Sequence, residues 1–219
     1  MTSEQMKAVD ILEQRGASDY IGEPVTQIEH MTQAGYFAYR AMLEKPSEYP
    51  LQFVVSCVLH DVGHLLHSSD FPTNVKLEDM IDPETSCNLG IKSHEHVGAA
   101  FLRLTGYPYP IPDLVGSHVD AKRYRVAKDK AYADKLSEAS RRTLLLQGGP
   151  MDSEECLRFE SNPLCHDRLL LRQCDEKSKE TTLSYGPVDI KACWERKEPL
   201  PYVPDLNSYR QLIEELLCQ

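Results

Sequence analysis

The run Cys57-Val58-Leu59-His60-Asp61-Val62-Gly63-His64 sets an imidazole and a carboxylate side by side inside an apolar stretch. Burying both is costly unless something pairs them, and a bound metal ion is the commonest partner for this combination. Any fold that takes this run into its core must therefore build a site around it. Neighbouring residues on a helix project about 100° apart, so His60 and Asp61 cannot both face one ion head-on. Asp61 could instead bridge two ions.

The rest of the chain reads as all-α, because apolar residues recur every three or four positions and alternating segments are few. Helices are expected over 4–15, from the capping box Thr26-Gln27-Ile28-Glu29 onward, over 51–66, from a Ser93 cap over 94–105, and over 113–127 and 129–135. Further helices are expected from a Ser137 cap to Gln147, and over 153–160, 164–180 and 206–217. Residues 68–92, with Pro72, Pro83 and Gly90, read as an insertion, and 181–219 as a C-terminal extension of one domain spanning 1–219. A length of 219 residues with 41% hydrophobic content suits one sizeable core.

A net charge of -10 without a dense Lys/Arg block argues against nucleic acid as a partner. No apolar run approaches the roughly 18 residues of a membrane span, and Met1-Thr2-Ser3-Glu4-Gln5 has no signal-peptide character, so a cytoplasmic location is expected. Seven cysteines without a C-x-x-C pair read as reduced thiols, with Cys57 a small core residue.

Of eight histidines, His30, His60, His94 and His118 sit beside small or apolar neighbours on expected helices. With Asp61 and one late carboxylate they could supply six ligands, more than one ion needs, so two ions fit the count. An anion pocket is also readable. Lys122 lies four residues beyond His118 and shares its helix face, Arg172 stands three residues before Asp175, and Ser140, Thr143 and Gln147 form one polar stripe beside Leu144, Leu145 and Leu146.

His30, His60-Asp61 and a later Asp resemble the H…HD…D signature of the HD-domain superfamily, helical metal proteins that include many phosphohydrolases. The segments Tyr20-Ile21-Gly22-Glu23, Gln27-Ile28-Glu29-His30, Ala121-Lys122-Arg123-Tyr124 and Leu146-Gln147-Gly148-Gly149-Pro150-Met151 resemble the PhnZ-type oxygenases, over about residues 10–180. That resemblance implies an HD-domain helical bundle holding two iron ions, Fe(II)/Fe(III), on His30, His60, Asp61, His94, His118 and Asp175, with Asp61 bridging. His96 competes with His94, and Asp167 with Asp175. It implies a phosphonate held by His64 on the metal helix, Lys122, Ser140, Thr143, Gln147 and Arg172. Tyr20 and Glu23 would guard the open metal position, Glu23 meeting a cationic nitrogen. The implied reaction uses O2 to cleave a 1-hydroxy-2-amino- or trimethylammonio-ethylphosphonate, releasing phosphate and glycine or glycine betaine. The competing readings are an HD-type metal-dependent phosphohydrolase, a polyol oxygenase and a metal-stabilised interaction domain. The oligomeric state is left open.

Overall fold

The computed structural model describes residues 3–73 and 75–218. Among these, twelve α-helices carry an all-α architecture, and strands are confined to two two-stranded pieces. Helix α1 (Ser3–Arg15) stops at Gly16 and is followed by a tight loop in which Tyr20 N–H bonds the Val25 carbonyl at 2.9 Å. Thr26 then caps α2 (Gln27–Glu44): its hydroxyl accepts the Glu29 N–H, and the Glu29 carboxylate accepts the Thr26 N–H. This is the reciprocal box read from the sequence.

Helix α3 (Pro50–Leu59) begins on proline, whose missing N–H costs nothing in a first turn. The expected helix over 51–66 does not run through. The chain leaves α3 at His60, passes Asp61 at φ -101°, ψ 10°, and continues as a 3-10 turn over Val62–Leu65. Sequence period misses this break because Val62, Leu65 and Leu66 are buried in either geometry. Close approach explains it: a β-carbon on Gly63 would lie 1.9 Å from the His94 carbonyl oxygen, and one on Gly98 would lie 3.1 Å from the Gly63 nitrogen. Two glycines thus let the turn after His60-Asp61 lie directly on the next long helix.

The segment 68–92 carries a 3-10 turn (Ser68–Asp70) and an antiparallel pair, β1 (Asp79–Ile81) with β2 (Asn88–Ile91). Helix α4 (His94–Leu104) follows. Ser93 precedes it but does not cap it with its side chain as expected, since its backbone is left-handed at φ 56°. The stretch expected as one helix over 113–127 is two, α5 (Ile111–Val115) and α6 (His118–Lys128), separated by Gly116-Ser117. Asp129 caps α7 (Lys130–Lys135), Ser137 caps α8 (Glu138–Leu146), and Asp152 closes a second capping box on α9 (Ser153–Glu160). Helix α10 (Cys165–Lys177) ends before residue 180. Then β3 (Tyr185–Gly186), α11 (Ile190–Arg196), β4 (Val203–Pro204), parallel to β3, and α12 (Leu206–Leu217) complete the chain.

The core lies where α2 packs on α3, with α10 across both and α12 behind them. Tyr39, Phe53, Cys57, Leu59 and Tyr209 are fully buried there. Tyr209 donates its hydroxyl to the Thr32 carbonyl at 2.9 Å. Gln33 grips the Glu180 backbone through both amide atoms, fixing the segment after α10 against α2. No helix among the described residues is long and apolar enough to cross a membrane. All seven cysteines are free thiols.

The approach at Gly63 yields a test. Gly63→Ala should lower unfolding stability by about 2–3 kcal/mol, because the added carbon meets backbone and not a flexible side chain. Urea denaturation monitored by circular dichroism measures it.

Candidate metal centre and anion pocket

Five elements meet under the cleft. α2 brings His30, the end of α3 brings His60 and Asp61, the first residues of α4 and α6 bring His94 and His118, and α10 brings Asp175. All six are buried, at 4% exposure or less. Their donor atoms fall into two clusters that could each hold a metal ion, His30 with His60 and Asp175, and Asp61 with His94 and His118. Asp61 joins the two. Its Oδ2 lies 3.5 Å from His30 Nε2 and 3.4 Å from His60 Nε2, while its Oδ1 lies 3.4 Å from His94 Nε2 and 3.3 Å from His118 Nε2.

The imidazole orientations show what the clusters are built for. Nδ1 of His30, His60 and His118 lies 2.8–2.9 Å from the carbonyls of Ser178, Cys57 and Val115. A carbonyl only accepts, so each Nδ1 carries a proton and each ring turns Nε2 inward, the atom that offers its lone pair to a metal once its own proton is displaced. His30 Nε2 then faces His60 Nε2 at 3.1 Å, and His94 Nε2 faces His118 Nε2 at 3.0 Å. Lone pairs set face to face repel unless a cation lies among them, so the donor set fits two metal ions. Nδ1 of His94 lacks such an anchor; it stands 3.6 Å from Glu95 Oε2, and neither atom has a hydrogen-bond partner.

Charge balance agrees. Burial pushes the His60 imidazole down, but the Asp61 and Asp175 carboxylates outweigh it and hold it well above its ordinary value. Burial pushes Asp61 up, yet His60, His118 and His30 hold it well below the carboxylate range. Asp175 is likewise held low against burial, chiefly by Arg172, whose Nη1 donates to Asp175 Oδ2 at 2.6 Å. The acids stay ionised and call for positive charge at the histidine nitrogens.

Above the donors opens a cleft of about 630 Å³, counted to its solvent mouth. Tyr20, Glu23, His64, Lys122, Ser140, Thr143 and Arg172 line it, as the sequence reading groups them. His64 lies on the 3-10 turn and not on the metal helix as expected, because α3 ends first. Its ring stacks on His94, with centroids 3.7 Å apart. Its Nδ1 accepts the Ile91 N–H at 3.2 Å, leaving Nε2–H as a donor. Gly90, at φ 97°, admits the ring, since a β-carbon there would sit 2.4 Å from it. Burial, then the charge of His94, keeps His64 neutral, well below its ordinary pKa.

Lys122 is 4% exposed, donates to Thr143 Oγ1 at 3.1 Å, and is brought down to about 7 by burial and by Arg172. Arg172 also donates from Nε to Glu176 at 2.9 Å and to Tyr132 at 3.1 Å. The Tyr20 ring stacks on His30, centroids 3.9 Å apart. Burial and the Asp61 and Asp175 carboxylates raise its phenol well above the usual value.

His96 points outward, 66% exposed, and Asp167 pairs with His166, so neither joins the clusters. Gln147 is set back from the cleft; it is half-buried and its Oε1 has no partner. Of the three leucines beside the α8 stripe only Leu144 is buried, Leu145 being 77% exposed. Sequence reasoning did not single out Lys179, which pairs with Glu23 and lines the cleft, or Met80 and Leu89, which reach it from β1 and β2. Lys179 falls four residues beyond Asp175, but α10 ends at Lys177, so helical spacing does not point to it.

A helical fold with two His/Asp donor clusters joined by one carboxylate is the frame of a metal-binding protein with room for two ions. The HD-domain family model matches residues 28–147, and the chain belongs to that family, within the branch of PhnZ-type oxygenases. It is 39% identical to an uncharacterized protein of Acanthamoeba polyphaga mimivirus, over 83% of this chain and 75% of the relative. It is 38% identical to a [1-hydroxy-2-(trimethylamino)ethyl]phosphonate dioxygenase (glycine-betaine-forming) of Leisingera caerulea, over 79% of each chain. A hydroxymethylphosphonate dioxygenase of Gimesia maris is 31% identical, over 95% of this chain and 85% of its own.

Because Asp61 faces both clusters and Asp175 only one, metal content should separate them. Asp61→Asn should fall below about one ion per chain, while Asp175→Asn should keep about one of about two, measured by elemental analysis after dialysis.

Proposed function

We propose that this chain uses O2 to cleave the carbon–phosphorus bond of a small 1-hydroxyphosphonate, releasing inorganic phosphate and a carboxylate. The observation that carries this reading is the placement of a cationic, hydroxyl-bearing wall against a doubled His/Asp cluster whose two halves share Asp61. The relatives named as phosphonate dioxygenases support it. The balance is simple: one O2 is consumed, the carbinol carbon becomes a carboxylate, and phosphorus leaves as phosphate. The sequence resemblance implies a finer form, in which a 1-hydroxy-2-amino- or trimethylammonio-ethylphosphonate gives glycine or glycine betaine. One named relative acts on a phosphonate with a cationic substituent and the other on one without, so the class of 1-hydroxyphosphonates is what the two share.

His30, His60 and Asp175 would hold one iron and Asp61, His94 and His118 the other, with Asp61 bridging. A mixed-valent Fe(II)/Fe(III) pair, when bound, supplies the redox chemistry with O2 that a redox-inert metal cannot. The chain supplies orientation. Lys122 offers a point charge to the phosphonate, His64 Nε2–H and the Ser140 and Thr143 hydroxyls offer directional hydrogen bonds, and Arg172 adds a second charge while steadying Asp175. The resemblance adds Gln147 to this set. Tyr20 lies over His30 and shields that half of the centre from water. The reduced thiols suit a cytoplasmic enzyme.

Iron-loaded protein incubated with hydroxyphosphonates should consume O2 and release phosphate in equal amounts. Phosphate release that persists anaerobically, or with zinc or magnesium alone, would overturn the oxygenase reading.

Lys122 makes a second test. Its ammonium is lost as pH rises through about 7, so kcat/KM should fall above that pH in the native enzyme. In Lys122→Arg, which stays charged, the pH profile should lose this decline.

A further inference from the structure

Two features of the cleft attract a cation, the Glu23 carboxylate and the face of the Tyr20 ring. Lys179 engages both. Its ammonium forms an ion pair with Glu23 and stands 5.8 Å from the Tyr20 ring centroid. Neither partner is free to swing far: Glu23 and Lys179 have side chains only 12% and 22% exposed. Glu23 is also held by its loop, where its N–H bonds the Tyr20 carbonyl at 3.0 Å. Lys179 follows Ser178, whose carbonyl anchors His30, and precedes Glu180, whose backbone is gripped by Gln33.

Beyond the Glu23–Lys179 pair the cleft runs on into a second cavity. Its ionisable walls carry Arg125, Lys135, Arg172 and Lys179 against Glu23 and Glu176, apart from the Tyr132 phenol. Arg125 and Arg172 already satisfy Glu176. The distal end of the cleft is therefore electropositive, and its one carboxylate not tied to an arginine is neutralised by a residue of the chain itself. A substrate ammonium would have to displace Lys179 from Glu23 and then share the space with it. An uncharged substituent meets no such opposition.

We infer that Lys179 determines substrate choice, restricting the site to 1-hydroxyphosphonates whose remaining substituent carries no positive charge. This rests on the carbon–phosphorus cleavage proposed above. Lys179 acts as a built-in counter-ion where a cationic substrate would otherwise bind.

The test compares two substrates of similar size that differ in charge, 1-hydroxypropylphosphonate and 1-hydroxy-2-aminoethylphosphonate, at pH 7 with iron-loaded protein. The native enzyme should favour the compound without an ammonium at least tenfold in kcat/KM. Lys179→Met should shift that ratio at least tenfold toward the amine, mainly through KM, and Lys179→Arg should keep the native preference. A native preference for the amine, or an unchanged ratio in a folded Lys179→Met protein, overturns the inference while leaving the cleavage activity intact. Should Lys179→Met not fold, Lys179→Gln makes the same comparison. Failure of native enzyme to release phosphate from either compound or from hydroxymethylphosphonate overturns the cleavage reading itself, and the inference with it.

Discussion

The Asp61 carboxylate is the one charge that faces all four buried imidazoles, two from each oxygen. Everything around it follows from the need to place it there. A residue inside a continuous α3 would project along that helix; by breaking the helix at His60, the chain turns Asp61 into the junction of α2, α4 and α6. Gly63 and Gly98 permit the contact that holds the break against α4. Backbone carbonyls of Cys57, Val115 and Ser178, at helix ends or just beyond them where carbonyls go unpaired, fix three of the four rings.

Local pattern revealed the parts of this arrangement that depend on local chemistry. The Thr26 box, the Ser137 cap and the span of α9 are decided within one turn of chain, and the structure has them as read. His94 rather than His96, and Asp175 rather than Asp167, belong to the clusters. The break after His60 was hidden because its cause is a contact with a backbone about thirty residues away, not the residues beside it. Ser93 is similar: the left-handed turn that feeds α4 from β2 takes its side chain out of capping geometry. Lys179 and the hairpin residues Met80 and Leu89 reach the cleft only through tertiary packing, so no spacing rule could assign them.

Electrostatics divide the cleft into a floor, a wall and a far end. Acids held ionised among histidines make the floor, Lys122 with Arg172 makes one wall positive, and at the far end Lys179 neutralises Glu23. Arg172 serves both, because the guanidinium that faces the cleft is the one bonded to Asp175 and Glu176. Changing it would disturb the metal floor and the anion wall together, whereas Lys122 touches only the wall through Thr143.

The bond from His30 Nδ1 to the Ser178 carbonyl spans 148 residues. It fixes the inward lone pair of the first ligand in the chain, and the last ligand, Asp175, sits one turn before its acceptor. During synthesis on the ribosome, one half of the centre therefore stays unformed until α10 and the segment behind it have been made. The half on Asp61, His94 and His118 can assemble earlier. The donors of the two clusters are thus completed at different points of synthesis, one set by residue 118 and the other only at residue 175.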